Sequence, residues 1–311
     1  MWNKFHDLIT FEKNKQMIIK DIAKVASFIA GDKTIIKEVL HPSNDVIEIP
    51  YSIAHATVEI GQQSIPHQLK SSEVYYILNG NGEVHIDTWD KNEVSVVITI
   101  TAWGRNTATA KENLNRVEIK HEKRGKDITF LTDIQERNSS NRNNKSGFEV
   151  NYEIKMPKSL KLNLTNKFGE VYISDHAARL YVKVQHGEFK AGKLLSEKQE
   201  INVSFGEVDI EALGSGELKV RHGECTVGKA QNLEVDMQFG AFSIEDVNKL
   251  NIVIKHGGLE IGSVNELNAE AGHGSVDIET VIKSAKIETQ HGSIEIDELK
   301  KGCSKLDIES N

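Results

Sequence analysis

Five histidines, His186, His222, His256, His273 and His291, each stand immediately before a glycine, and the steps between those glycines lie close to 17 residues or to twice that. Imidazoles repeated at a fixed interval are the one constellation in this 311-residue chain with obvious metal-binding or pH-sensing chemistry. Phenylalanine occupies the same place in the remaining units: Phe168-Gly169, Phe205-Gly206 and Phe239-Gly240. A place that takes Phe and His alike is expected to be a stacking position at a turn. A second series is acidic: Glu170, Glu188, Glu207 and Glu224 follow the first glycines, whereas Ala241, Gly258, Ser275 and Ser293 follow the later ones. Stacked carboxylates repel unless they are paired or bridged by a cation such as calcium. Lys183, Lys190 and Lys219 offer ordinary partners, so a solvated face is the expectation.

A third candidate lies upstream. Gly61, His67, Glu73 and Gly80 keep a Gly-x5-His-x-Leu-x3-Glu-x6-Gly spacing, with Leu69 at the intermediate position. One imidazole and one carboxylate fall short of the three or four protein ligands that a tight transition-metal site needs. No Gly-x-Ser-x-Gly, P-loop, His-Glu-x-x-His or dinucleotide-binding fingerprint occurs. Short, nearly uniform repeats leave little room for loops that would build a catalytic groove, so a non-enzymatic protein is expected.

The elements that position these residues follow from the period. From Gly169 to Gly292 the glycines are spaced 18, 19, 17, 17, 17, 17 and 18 residues apart. Within each unit apolar residues alternate with mostly polar ones, first after the glycine, as in Val208-Asp-Ile210 and Phe242-Ser-Ile244. A second alternating run precedes the next glycine, as in Leu218-Lys-Val220 and Leu233-Glu-Val235. Alternation bounded by Gly, Asn and Ser marks half-buried strands. Two strands and two turns fill about 17 residues, so each unit is one coil of a β-solenoid, stacked roughly 4.8 Å from the next. The Cys225 position is inward, which implies a buried thiol. Upstream, Glu93–Thr101 reads as a strand, 108–116 as a short helix, Val117–His121 with Asp127–Leu131 as a hairpin, and Phe148–Ile154 as a further strand closed by Pro157. Ile19, Ile22, Val25, Ala26 and Ile29 fall at helical spacing, and Ile35–Leu40 is short and apolar, so short helices are expected near the N-terminus.

From about residue 80 onward the chain resembles the bacterial putative-adhesin family of unknown function, right-handed β-solenoids built from Gly-x-Val-x-Ile units. The resemblance rests on the ring-Gly repeats and on Gly82-Glu-Val-His-Ile-Asp-Thr-Trp89 leading into a β-branched strand. It implies a structural or adhesive protein that presents a stacked surface to protein or glycan, in a family whose members are usually exported. Residues 17–87 resemble a truncated cupin, in which His67 and Glu73 would be metal ligands and Tyr75 and Tyr76 would lie near the site. The second cupin motif is missing, and residues 46–87 supply only part of a jelly roll. The expected organisation is an extension over 1–16, a partial cupin-like segment over 17–87, an irregular β region over 88–157 and a solenoid over 158–311. The fold class is all-β. The rival readings are a cupin-type small-molecule or sugar binder with a degenerate divalent-metal site, and a scaffold whose solenoid binds a regulatory partner.

A net charge of −8 without a basic stripe argues against general nucleic-acid binding. No run of 18 apolar residues suggests a membrane span, and residues 1–8 lack the apolar stretch of a signal peptide, so the chain as written reads as cytoplasmic. A ninth unit begins at Ser304-Lys-Leu-Asp-Ile-Glu309 without an evident cap, which implies end-to-end association.

Overall fold

The computed structural model describes residues 74–310 apart from 125–126 and 136–145, together with segments 9–13, 16–20, 26–29, 35–40 and 53–57. The alternating runs become strands that pair in parallel, each with its counterpart one coil on. Val208–His222, Cys225–Phe239, Phe242–His256, Leu259–His273 and Val276–His291 stack in continuous register, Val208 on Cys225 on Phe242 on Leu259 on Val276. The two strands expected per coil are separate in the early units, Leu180–His186 followed by Phe189–Leu194. In the later units they merge into one hydrogen-bonded span of 15 residues. Pairing simply skips a residue at each corner: Ile210 pairs with Val227, then Ala212 with Lys229.

Side-chain direction follows this path. In one coil Cys225, Val227, Ala230, Leu233, Val235 and Met237 are all buried. The steps of two lie along the flat faces, and the steps of three at Ala230 and Leu233 mark the corner where the chain turns without pointing a polar side chain inward. The same positions one coil later, Phe242, Ile244, Val247, Leu250, Ile252 and Ile254, are again buried. Each such side chain contributes about 1.5–3 kcal/mol when fully removed from water. The core is therefore a single column of apolar layers.

The solenoid begins earlier than the repeat suggests. Val74–Asn81 pairs in parallel with Leu162–Phe168, and Val84–Trp89 in parallel with Val171–Ile173, so these two strands are a complete first coil. The boundary expected at residue 87 falls inside that coil. Residues read as cupin text from 74 onward are hydrogen-bonded as solenoid. His67, Glu73 and most of the cupin-like motif lie outside the described residues.

The region 88–157 covers the far side of that first coil. Gly147–Pro157 pairs with Val84–Trp89 in parallel and with Ser95–Trp103 antiparallel, and Asp127–Ile134 pairs in parallel with Val74–Leu78. Val117–Arg124 and Asp127–Ile134 form the expected hairpin. The expected helix spans Thr107–Leu114, with the Asn106 side chain accepting from the Thr109 N–H as its N-cap. Tyr152 is buried in this layer, its hydroxyl 2.5 Å from Thr132 Oγ1, and burial pushes its ionisation up to about 12.

N-terminal to this, helices expected over 18–30 and 35–40 are replaced by strands wherever residues are described. Ile9–Lys13 and Gln16–Lys20 form an antiparallel pair, and Ser27–Ile29, Ile35–Leu40 and Ile53–Thr57 form an antiparallel sheet of three. Isoleucine and valine dominate these stretches, and β-branched side chains favour the pleated backbone over the helix.

Candidate functional site

The ring-glycine repeat builds a ladder on one edge of the solenoid. Numbering coils 0 to 8 by Gly82, Gly169, Gly187, Gly206, Gly223, Gly240, Gly257, Gly274 and Gly292, the glycine N–H groups of coils 0, 1 and 3 to 7 donate to the carbonyl of the ring residue one coil on, as Gly257 to His273 at 2.8 Å. The glycines sit so close that side chains are excluded. A Cβ on Gly257 would lie 1.5 Å from the Gly240 carbonyl oxygen, and its φ of +146° is one that L-residues rarely adopt. Coil 3 differs in that the positive φ sits on Phe205, at 60°, instead of on the glycine, while the Phe205 ring stays in the column. The 19-residue step arises elsewhere: the pairing offset is 19 at Leu194–Leu213 and 17 at Gln199–Gly216, so the extra residues lie at the 195–198 corner.

The rings held by this glycine column stack face to face. From Phe168 through His186, Phe205, His222, Phe239, His256 and His273 to His291, successive centroids are 5.2, 5.2, 4.7, 4.8, 4.9, 4.9 and 4.9 Å apart. The interplanar angles are 15° or less except for 28° at His273–His291. The stack is exposed: Phe168, Phe205 and Phe239 keep 51%, 54% and 44% of their surface in water. The faces cover one another and the edges form a ridge about 34 Å long, seven steps of roughly one strand spacing.

This geometry sets what the histidines can do. Zinc holds imidazole nitrogens at about 2.0–2.1 Å, so two ligands of one ion lie at most about 4.2 Å apart and converge on it. His256 and His273 are parallel within 1° at 4.9 Å, presenting their edges side by side. Among the described residues no group of three His, Cys, Asp or Glu side chains is placed to hold an ion.

The acidic column gains a member that the sequence period hides: Glu83 of coil 0 precedes Glu170, Glu188, Glu207 and Glu224. Each glutamate carbonyl accepts from the apolar residue one coil back, as Glu188 from Val171 at 2.8 Å. Lys190 pairs with Glu188 and His85 with Glu83, whereas Lys219 pairs with Glu217 outside the column. The lysines concerned are half-exposed, and neighbouring carboxylates raise their ionisation. The opposite flank of the ridge carries Lys167, Arg221 and Lys255 among neutral residues.

Cys225 is buried in the core, where desolvation pushes its thiol up to about 12 and leaves it unreactive. His176 is also buried, and neither ring nitrogen makes a hydrogen bond of good geometry. Burial lowers its ionisation to about 4, only partly offset by the nearby Leu160 backbone. No sequence signal marked it, because the glycine-based period does not reach this corner.

A groove lies on the C-terminal half beside the ladder, with a volume of about 370 Å³ and His256, His273, Glu270 and Glu288 among its walls.

Comparison with known proteins gives one relative by sequence and several by shape. No family profile matches the chain. The uncharacterized protein MJ1618 of Methanocaldococcus jannaschii is 34% identical over 106 residues, which are 34% of this chain and 82% of that protein. Over those residues the chain belongs to the same family as MJ1618. Three solved structures match it at low scores. A "putative cell adhesion protein" from Clostridium sporogenes has a TM-score of 0.27 at 14% identity, with 78% of this chain and 94% of that one covered. A "putative adhesin" from Bacteroides fragilis has a TM-score of 0.30 at 13% identity, covering 79% and 96%. A "putative lipid binding protein" from Parabacteroides distasonis has a TM-score of 0.25 at 12% identity, covering 78% and 96%. At such scores no property is carried over to this chain.

Proposed function

We propose that this chain is a non-enzymatic, adhesin-like binding protein that presents the outer surface of its solenoid to a macromolecule, protein or glycan. The observation that supports the reading is the exposed ring ridge. A water-facing phenylalanine gains little from burial, yet three of them are held in register within a ring ridge about 34 Å long by a glycine column that tolerates no side chain. A long, rigid, partly apolar ridge flanked by carboxylates is suited to an extended partner that lies along several coils. Catalysis needs convergent groups, and here the lysines and carboxylates of the faces pair along the strands instead, as in Lys219 with Glu217 and Lys300 with Glu298. No helix of the described residues is long and apolar enough to cross a membrane.

The test is retention of the purified chain on panels of immobilised polysaccharides and extracellular proteins, compared with a Phe168→Ser/Phe205→Ser variant. The rings are exposed, so the variant is expected to fold and to lose at least about tenfold in affinity for any ligand of the parent. Equal retention of parent and variant on every surface would refute a role for the ridge.

A further inference from the structure

The groove beside the ladder comes from a single missing side chain. In the outward column that runs next to the rings, consecutive coils carry Arg221, Gln238, Lys255, Gly272 and Gln290. Gly272 is therefore a gap in a row of long polar side chains. Its floor is the Gly272 backbone and the buried Ala271; Lys255 and His256 rise on one side, Thr289 and Gln290 on the other. Glu270 and His273, from the same coil as the gap, bracket it along the strand. The gap cannot be filled in place, because a Cβ on Gly272 would stand 2.5 Å from the Lys255 carbonyl oxygen.

We propose that this groove binds an amino-sugar residue of a glycan, an inference that rests on the macromolecule-binding reading above. Its volume of about 370 Å³ is at the small end of the range for ligand clefts, roughly 300–1,000 Å³, and suits a saccharide unit rather than a large cofactor. A sugar offers hydroxyls that both donate and accept, and the walls supply both. Glu270 and Glu288 accept; Lys255, Gln290 and the imidazole edges donate. Val253, 39% exposed at the rim, offers an apolar patch to the C–H groups of a pyranose ring. The charge balance selects the amine. Glu270, Glu288 and Glu309 face the groove against Lys255 alone, with Lys286 engaged on Glu288. Glu270 has no ion-pair partner among the described residues, and an ammonium group on the ligand would supply one.

The experiment is titration calorimetry of the full chain at pH 6.5 with three tetrasaccharides of one geometry: β-1,4-linked glucosamine, its N-acetylated form and cellotetraose. The glucosamine tetramer is expected to bind, and the other two at least about tenfold more weakly, since only the first carries ammonium groups. Glu270→Gln and His273→Phe should each weaken it by about tenfold. Phenylalanine already occupies the ring column at 168, 205 and 239, so His273→Phe should keep the stack and fold. Phe168→Ser/Phe205→Ser, in coils remote from the groove, should leave this binding unchanged even while abolishing ridge-dependent retention; the two readings thus fail separately. No binding of any tetramer, cellotetraose binding as tightly as the glucosamine form, or undiminished binding by both groove variants would each overturn the proposal.

Discussion

At the scale of single residues, the glycines decide more than the rings. Gly257 and Gly258 are neighbours in sequence with opposite demands: a Cβ on the first meets the Gly240 carbonyl oxygen at 1.5 Å, and on the second only Ser275 Oγ at 3.7 Å. Gly257→Ala is expected to cost about 3 kcal/mol or more, through steric clash and a φ that alanine resists. Gly258→Ala should stay within about 0.5 kcal/mol of the parent. Urea denaturation of the two variants checks the contrast, and equal midpoints would show that the backbone column can relax. His176 gives a prediction of a different kind. Its folded ionisation, about 4, lies below the ordinary 6.5, so the unfolded chain takes up a proton first as the pH falls. The neutral buried imidazole is fully compatible with the fold above pH 6.5, and stability is lost as the pH drops from there through about 4. The loss tends toward about 3 kcal/mol, the free energy of a shift of that size. Since neither nitrogen is satisfied, His176→Leu should be neutral or mildly stabilising at pH 7.5 and should flatten this part of the pH–stability curve. A curve of unchanged shape in the variant would contradict the assignment.

At the scale of the coil, legibility in sequence depends on unbroken phase. From Gly206 to Gly274 every step is 17 residues, and register, inward positions and ring column could all be read off directly. Coil 0 could not, because residues 90–157 separate Gly82 from Gly169 and Asn81 stands where a ring is expected; only the pairing of Phe168 with Asn81 restores the phase. The helical reading failed over the described residues 18–20 and 27–29 for a related reason: five apolar residues at spacings of three and four mimic an amphipathic helix, but these short strand segments cannot display a period of two. The groove was visible in principle as a glycine in a column of Arg, Gln and Lys, a signal that appears only after the coils are aligned. The same phase argument makes a sharp prediction. Excision of residues 240–256 joins Phe239 to Gly257 and removes one whole coil, so every inward residue stays inward and the ring column closes over the gap. The shortened chain should fold with an unchanged β-type circular dichroism signal per residue. Excision of 240–255 instead leaves one residue too many, turning one strand's apolar side chains outward. It should unfold or aggregate; comparable solubility of the two deletions would mean that the ring corner absorbs a register slip as freely as the 195–198 corner does.

At the scale of the whole molecule, the two ends of the solenoid differ. Coil 0 is covered by Gly147–Pro157 and Asp127–Ile134. The last coil, Ile294–Leu299 with Lys305–Ser310, is hydrogen-bonded on one side only among the described residues. Its apolar residues hold core positions, yet Leu299, Leu306 and Ile308 are 47%, 43% and 44% exposed, where their counterparts Val281, Ala285 and Ile287 are buried. An edge of this kind is a template for pairing. At this edge two copies would meet through the same last coil, about a two-fold axis with antiparallel strands. The outward residues of that coil work against it: Glu295, Asp297, Asp307 and Glu309 would approach carboxylates of the partner copy, the like-charge arrangement by which natural sheets guard their edges. Salt screens such repulsion over about 10 Å at 0.1 M and about 3 Å at 1 M. The chain is therefore expected to shift toward dimer as sodium chloride rises from 0.05 to 1 M in multi-angle light scattering, to about twice the 34.7 kDa monomer mass. Ile296→Lys/Ile308→Lys should hold it monomeric throughout, because those substitutions charge the apolar end without touching the closed coils. A parent that stays monomeric at high salt, or a variant that dimerises equally well, would remove the last coil as the point of contact.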